Sequence, residues 1–164
     1  AEELVDITLL LNTEVKKLGL NPRIALLSYS NFGSNDGYVP NKVQKAIRIL
    51  HEKHPDVLVD GEMQGNFAVN NRLLEANFPF SKLLGAPANV LVFPNLESGN
   101  IAYKLLQEIG KAEAVGPVLL GMNKPVHVLQ LDSTVREIVN MTTIAVVDVR
   151  PEATGGKRTR SKKS

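Results

Sequence analysis

The run Ser28-Tyr29-Ser30-Asn31-Phe32-Gly33-Ser34 places three serine hydroxyls, a phenol, an amide and a glycine within seven consecutive residues. A polar loop of this composition can turn donors onto a phosphate or an acyl carbonyl. It lacks the Gly-Lys-Ser/Thr ending of a nucleotide-binding P-loop, and an ordinary turn uses the same residue types. Asp60 and Glu62 lie two apart, so on an extended segment they would share a face. Paired carboxyls suit acid/base work or a hard metal ion, but a strand end bonded to water or to amides explains the spacing as well, and is the expectation here. His51 and His54 fall on one helix face without His-Glu-x-x-His spacing, and the three histidines are expected at the surface. Thr134 followed by Glu137 reads as a capping box. With no cysteine, disulfides, thiol nucleophiles and Cys-ligated metals are excluded. Gly-x-Gly-x-x-Gly and Gly-x-Ser-x-Gly are absent as well, so nothing marks a dinucleotide fold or a serine hydrolase.

These residues must be positioned by elements whose periodicity is legible. Residues 2–18 predict a helix, with Leu4, Leu11, Val15 and Leu18 on one stripe and Gly19 as its stop. The apolar run 24–27 predicts a strand that opens into the polar loop 28–38. Pro40-Asn41 starts a second helix, carrying Val43, Ala46, Ile47 and Leu50 inward until Pro55 ends it. A short strand at 57–59 leads into Asp60-Gly61-Glu62, and 66–77 predicts a helix. A strand at 89–93 precedes a helix at 98–109 that should bury Ala102, Leu105, Leu106 and Ile109. Residues 115–120 and 125–131 are strand-like. A last helix, 135–149, bears the stripe Val135, Ile138, Val139, Thr142 and Val146. Short apolar strands alternating with helices predict an α/β fold, three-layer α/β/α with a mostly parallel sheet. Such sheets bind ligands beyond the carboxyl ends of their strands, which selects the loops 28–38, 60–66, 94–100 and 121–125.

The 164 residues suit one ordinary domain, and 43% hydrophobic with 22% charged residues is a globular balance. No apolar run reaches the roughly 18 residues of a membrane span, and no signal-peptide pattern opens the chain. The expectation is a cytoplasmic protein. The chain starts at Ala1 rather than Met, which points to a piece of something longer. The overall charge of +2 is uneven: Lys157, Arg158, Arg160, Lys162 and Lys163 against Glu152 give the end of the chain four net positive charges, leaving the rest at −2. Residues 151–164, with a Gly155-Gly156 pair and no apolar periodicity, are expected to form a basic flexible tail. The tail has no aromatic side chain to stack on bases, so nucleic acid is not the expected partner.

Four segments together resemble the phosphate acetyltransferase family: 23–34 (RIALLSYSNFGS), 55–64 (PDVLVDGEMQ), 88–104 (ANVLVFPNLESGNIAYK) and 116–126 (GPVLLGMNKPV). The third is the most specific, with Gly99-Asn100 leading to Tyr103-Lys104. The resemblance implies an incomplete domain. The family has two α/β subdomains about an active cleft, and residues 1–150 look like its C-terminal half, with about 119–150 returning to the other subdomain. After Lys124-Pro125-Val126, active members continue Asn-Asp-Leu-Ser-Arg-Gly, whereas here the residues are His127-Val128-Leu129-Gln130-Leu131-Asp132. Gln130 stands where the serine belongs and Leu131 where the arginine does, and the family's acid a turn later is matched only by Glu137. Leucine cannot supply arginine's bidentate charge, and losing one oxyanion donor alone costs about 10²–10³ in rate.

A degenerate domain of this kind resembles the C-terminal part of large bacterial NADP-dependent malic enzymes. The resemblance implies a parent that oxidatively decarboxylates malate to pyruvate with NADP and a divalent metal (Mg or Mn), none of whose catalytic residues lie in this chain. It also implies a regulatory, oligomerising module that senses acetyl-CoA, joined to an upstream malic-enzyme domain and assembled as a homo-oligomer, with no cofactor or metal of its own. The expected ligand contacts are Ser28, Ser30, Ser34, Asn100, Tyr103, Lys104 and Lys124. Gln130, Leu131 and Glu137 are former catalytic positions, and no residue is assigned as catalytic. The alternative is a true phosphate acetyltransferase, converting acetyl-CoA and phosphate to acetyl phosphate and CoA.

Overall fold

Ile24, Ala25, Leu26 and Leu27 form strand β1 (Ile24–Leu27), and all four are buried. The computed structural model describes residues 1–131 and 133–149, so the expected tail lies outside the described residues. An apolar run without alternation is what a central strand covered on both faces requires. β1 is the middle of a three-stranded sheet in the order β2-β1-β3, with β2 (Val59–Met63) and β3 (Val90–Val92) both parallel to it. Successive side chains leave the sheet on opposite faces. Ile24 and Leu26 enter one cluster with Leu4, Val43, Leu50 and Val59; Ala25 and Leu27 enter another with Met63, Ala68, Leu74 and Leu83.

The helices follow from that division. α1 (Glu2–Lys17) and α2 (Tyr38–Lys53) send Leu4, Val5, Val43, Ala46, Ile47 and Leu50 into the first cluster. α3 (Gly65–Val69) and α4 (Asn71–Asn77) cover the other face through Ala68 and Leu74. Phe78, at the end of α4, packs edge-on against Phe67 and tilted against Phe32. Two sheathed faces make the three-layer α/β/α arrangement. α5 (Leu96–Ile109) follows β3, and α6 (Val135–Asp148) closes the described chain. The chain divides into two compact units, residues 1–115 and a second beginning at Gly116.

Several sequence expectations need correction. The segment 66–77 is two helices, because Asn70 leaves the helical region and its side chain caps α4 through the Leu73 amide. The second strand runs on through Asp60-Gly61-Glu62, since both carboxyls find donors there. α5 buries none of its residues: Leu105, Leu106 and Ile109 are all exposed. The strand-like segments 115–120 and 125–131 meet only in an isolated antiparallel bridge, Val118 to His127. A lone two-stranded contact is marginal without a third strand or a packed face, and Leu119, Val126, Val128 and Leu129 remain exposed.

Two local devices fix the sheet's edges. The Arg23 guanidinium, just before β1, donates to the main-chain carbonyls of Leu83, Leu84, Ala86 and Pro87, and so clamps the segment leading to β3. On the other side, Leu26 pairs with Gly61 but Leu27 with Met63, so Glu62 is an extra residue in β2. Gly61 has φ +142°, and a Cβ there would stand 2.5 Å from the Leu26 carbonyl oxygen. We expect Gly61→Ala to cost about 2–4 kcal/mol, since neither the φ nor the central strand can yield. Gly65→Ala, where nothing lies within 4 Å, should stay within about 0.5 kcal/mol of wild type; urea denaturation of the two variants checks the contrast.

Candidate functional site

Beyond the carboxyl end of β1 the chain turns through residues 28–37, and the end of β2 holds it from beneath. The Glu62 side chain is fully buried, and its Oε1 accepts from Ser30 Oγ (2.8 Å), the Gly33 amide (2.8 Å) and Gln44 Nε2 (3.3 Å). Its main-chain carbonyl accepts from the Phe32 amide at 2.8 Å. Gln64 completes the join: its amide donates to Asn31 Oδ1 and its Nε2 to the Tyr29 carbonyl, both at 2.8 Å. Phe32 and Gly33, at φ +46° and +87°, make the tight turn that aims the Gly33 amide at Glu62. Two segments far apart in sequence, 28–34 and 60–64, are thus one structure.

A proton count separates the three serines. Ser30 gives its only proton to Glu62, so in its 3.2 Å contact with Ser34 Oγ it must accept, as it does from the Asn35 amide. Ser34 therefore donates to Ser30, and its oxygen already accepts from the Asn31 amide and Asn35 Nδ2. Ser28 Oγ accepts weakly from the Ser30 amide at 3.4 Å, and among the described residues its proton has no acceptor. Of these hydroxyls, Ser28 alone keeps a donor for a ligand.

Asp60 and Glu62 do not operate as a pair. Asp60 Oδ2 accepts from Ser81 Oγ and the Lys82 amide, both at 2.7 Å, and Oδ1 from the Gly61 amide. Its donors are wholly different from those of Glu62. Both carboxyls are amide- and hydroxyl-bonded as expected, but buried rather than solvated. The histidines also depart from surface exposure. His51 Nε2 sits 2.9 Å from the Val59 carbonyl, and the His127 side chain, 7% exposed, places Nε2 3.1 Å from Asp148 Oδ2. Among the described residues no group of three or more His, Asp or Glu side chains could hold a metal ion.

The remaining candidates lie on α5 and in the second unit. Asn95 caps α5 through the Ser98 amide, and Gly99 lets the helix lie against the Phe93 ring, where a Cβ would already touch. A cleft of about 400 Å³ opens between the start of α1, Lys42 and the β3–α5 turn; of the sequence candidates only Asn100 lines it. Lys42 Nζ donates to the Pro94 carbonyl at its edge. Tyr103 and Lys104 are exposed on α5, the ammonium 5.0 Å from the Tyr103 ring centre. Lys124 is exposed in the second unit, as are Gln130 and a wholly solvent-facing Leu131. The sequence singled out Ser30 for its hydroxyl and Glu62 only as a neighbour of Asp60, and missed Gln44; the bonds that join them are visible only once β2 lies beside β1.

The sequence model of phosphate acetyl/butaryl transferases matches residues 1–146. The chain belongs to this family. The EutD phosphotransacetylase of Staphylococcus aureus superposes with a TM-score of 0.82 at 35% identity, over 88% of this chain and 44% of that one. The phosphate acetyltransferase of Clostridium acetobutylicum is 38% identical over 92% of this chain and 45% of its own length. An NADP-dependent malic enzyme of Escherichia coli is 44% identical over 93% of this chain, which spans only 20% of that enzyme. The parallel sheet with helices on both faces is thus the phosphate acetyl/butaryl transferase fold, carried here by a chain covering less than half of either transferase.

Glu137, expected from the resemblance to match the family's acid, is engaged in a capping box. Its Oε2 accepts from the Thr134 amide (2.6 Å) and hydroxyl (2.9 Å), while its own amide donates to Thr134 Oγ1. The bond from the Thr134 amide, then that from its hydroxyl, holds the Glu137 carboxyl below its ordinary 4.5. A depressed carboxyl stabilises the fold above its unfolded value and loses that contribution as pH falls through the folded one. We expect wild type to exceed Glu137→Gln in stability at neutral pH, with the difference shrinking as acidification carries the carboxyl through its lowered folded value; thermal unfolding of both proteins from neutral to acid pH measures it.

Proposed function

We propose that this chain is a regulatory domain of an NADP-dependent malic enzyme, sensing acetyl-CoA and itself inactive in acetyl transfer. The observation that carries the reading is the pair Gln130 and Leu131 in place of the serine and arginine of active acetyltransferases. Leu131 is fully exposed, and a leucine in water offers no charge to a phosphate or a developing oxyanion. The 44% identity to the malic enzyme, against 38% to the Clostridium transferase, supports the same parentage. Malate oxidation, NADP and the divalent metal then belong to an upstream domain of the same polypeptide. The effector contacts in the first unit are Ser28, Asn100, Tyr103 and Lys104, with Lys104 facing the phosphates of CoA; Lys124 is the second unit's own candidate for a phosphate. Acetyl-CoA alters turnover only by binding the enzyme's two states unequally.

Assembly is the second role. α5 exposes Leu96, Ile101, Leu105, Leu106 and Ile109, and α6 exposes Val135, Ile138, Val139 and Val146. Apolar surface of that extent marks an interaction face, which supports a homo-oligomer.

The test uses the intact malic enzyme. Acetyl-CoA should bind and reduce malate turnover, while acetyl phosphate and CoA should give no exchange. Lys104→Ala or Lys124→Ala should weaken the inhibition about ten- to hundredfold if the lysine meets a phosphate. Measurable acetyl transfer by the unaltered enzyme would instead establish the alternative, a phosphate acetyltransferase. Malate turnover indifferent to acetyl-CoA would remove the regulatory reading.

A further inference from the structure

Glu62 is the residue of this chain whose burial and bonding most exceed what the core demands. A buried carboxyl is costly to enclose, and this one is enclosed with all its side-chain bonds on Oε1 and none on Oε2. Its three donors serve one purpose. Ser30 and Gly33 belong to the loop after β1, and Gln44 comes from α2, which begins where that loop ends. The carboxyl oxygen is therefore the common point of β2, the loop and α2. By taking the Ser30 proton it also sets the direction of the neighbouring serine hydroxyls, which makes Ser34 donate to Ser30 and leaves, of the three serines, only the Ser28 proton without an acceptor among the described residues.

We propose that Glu62 is the positioning residue of the effector loop: without touching a ligand, it acts through Ser30 and Gly33 to hold residues 28–35 in the form that leaves the Ser28 proton for a ligand. The ligand half of this inference rests on reading the loop as an acetyl-CoA contact; the positioning half does not. Preorganisation of this kind raises affinity because the loop has no ordering left to do on binding.

The two halves separate experimentally in the intact protein. Hydrogen exchange followed by mass spectrometry reads the peptide carrying residues 28–36 without any ligand, and calorimetric titration with acetyl-CoA reads affinity. Glu62→Leu should speed exchange of that peptide at least about tenfold while the peptide carrying β1 stays protected, and should weaken acetyl-CoA binding about as much. Glu62→Gln keeps one acceptor oxygen for all three donors, so it should restore protection and binding to within about threefold of wild type. Ser28→Ala should weaken binding about tenfold with loop exchange unchanged, because it removes a contact and not a support. Should Glu62→Leu fail to fold, Ser30→Ala cuts the same link with a small cavity and should again loosen only the loop. Loop exchange within twofold of wild type in Glu62→Leu or Ser30→Ala overturns the positioning role, as does a Glu62→Gln variant as loose as Glu62→Leu. Unchanged affinity in Ser28→Ala overturns the contact. A wild-type protein that binds no acetyl-CoA removes the functional reading, while the exchange data still decide the role of Glu62.

Discussion

The bond network around one carboxyl oxygen, Glu62 Oε1, joins the three pieces that make the candidate site: the loop after β1, the end of β2 and the first turns of α2. In water each donor would find a solvent partner at little net loss, whereas inside the fold an unmade bond carries the full desolvation penalty. The constraint therefore works mainly by exclusion. Any arrangement of residues 28–35 that withdrew Ser30 and Gly33 together would leave the buried oxygen with the 3.3 Å bond from Gln44 alone. The positive φ angles of Phe32 and Gly33 persist for the same reason, since the turn they make is the one that delivers the Gly33 amide. Gly61 is the complementary requirement on β2, because only a residue without Cβ lets the strand pass this close to the Leu26 carbonyl just before Glu62.

Much of the scaffold was legible in the sequence. The run 24–27 is entirely apolar and became the central strand; the stripe Val43, Ala46, Ile47 and Leu50 became the buried face of α2. Thr134 and Glu137 formed the capping box that their spacing announces. These are local rules, in which the pattern and its physical cause lie within one turn or one strand. The rule that parallel sheets bind ligands beyond the carboxyl ends of their strands selected the loops, and the fold agrees with the resemblance to phosphate acetyltransferases. Glu62 was not legible as a support, because a carboxyl two residues from another looks the same whether it faces solvent, a metal or three donors 18 to 32 residues away. The apolar residues of α5 and of 115–131 misled for the opposite reason. Periodicity says that a face is apolar, not that something covers it.

The family relationship gains physical content from that contrast. Residues that build the α/β scaffold, such as Ile24, Leu26, Val59 and Val92, sit deep in the core. Gln130 and Leu131 sit at the surface, where Gln130 exchanges bonds with Ser133 and Leu131 is fully exposed. Surface positions away from special contacts change at little cost to folding. Substitution at 130 and 131 therefore makes little demand on the α/β scaffold.

The clamp at Arg23 has a consequence for ionic strength. Its charge faces main-chain carbonyls of residues 83–87 and, among the described residues, no carboxylate. Dissolved salt screens ion pairs over about 10 Å at 0.1 M, so an exposed pair such as Lys45 with Glu2, 2.8 Å apart, fades as electrolyte is added. Short, directional bonds between a half-buried guanidinium and peptide dipoles leave little for electrolyte to screen. The entry to β1 and β3 is thereby fastened in a way indifferent to saline or dilute surroundings, and a lysine at position 23, with a single ammonium, could not span the same four carbonyls.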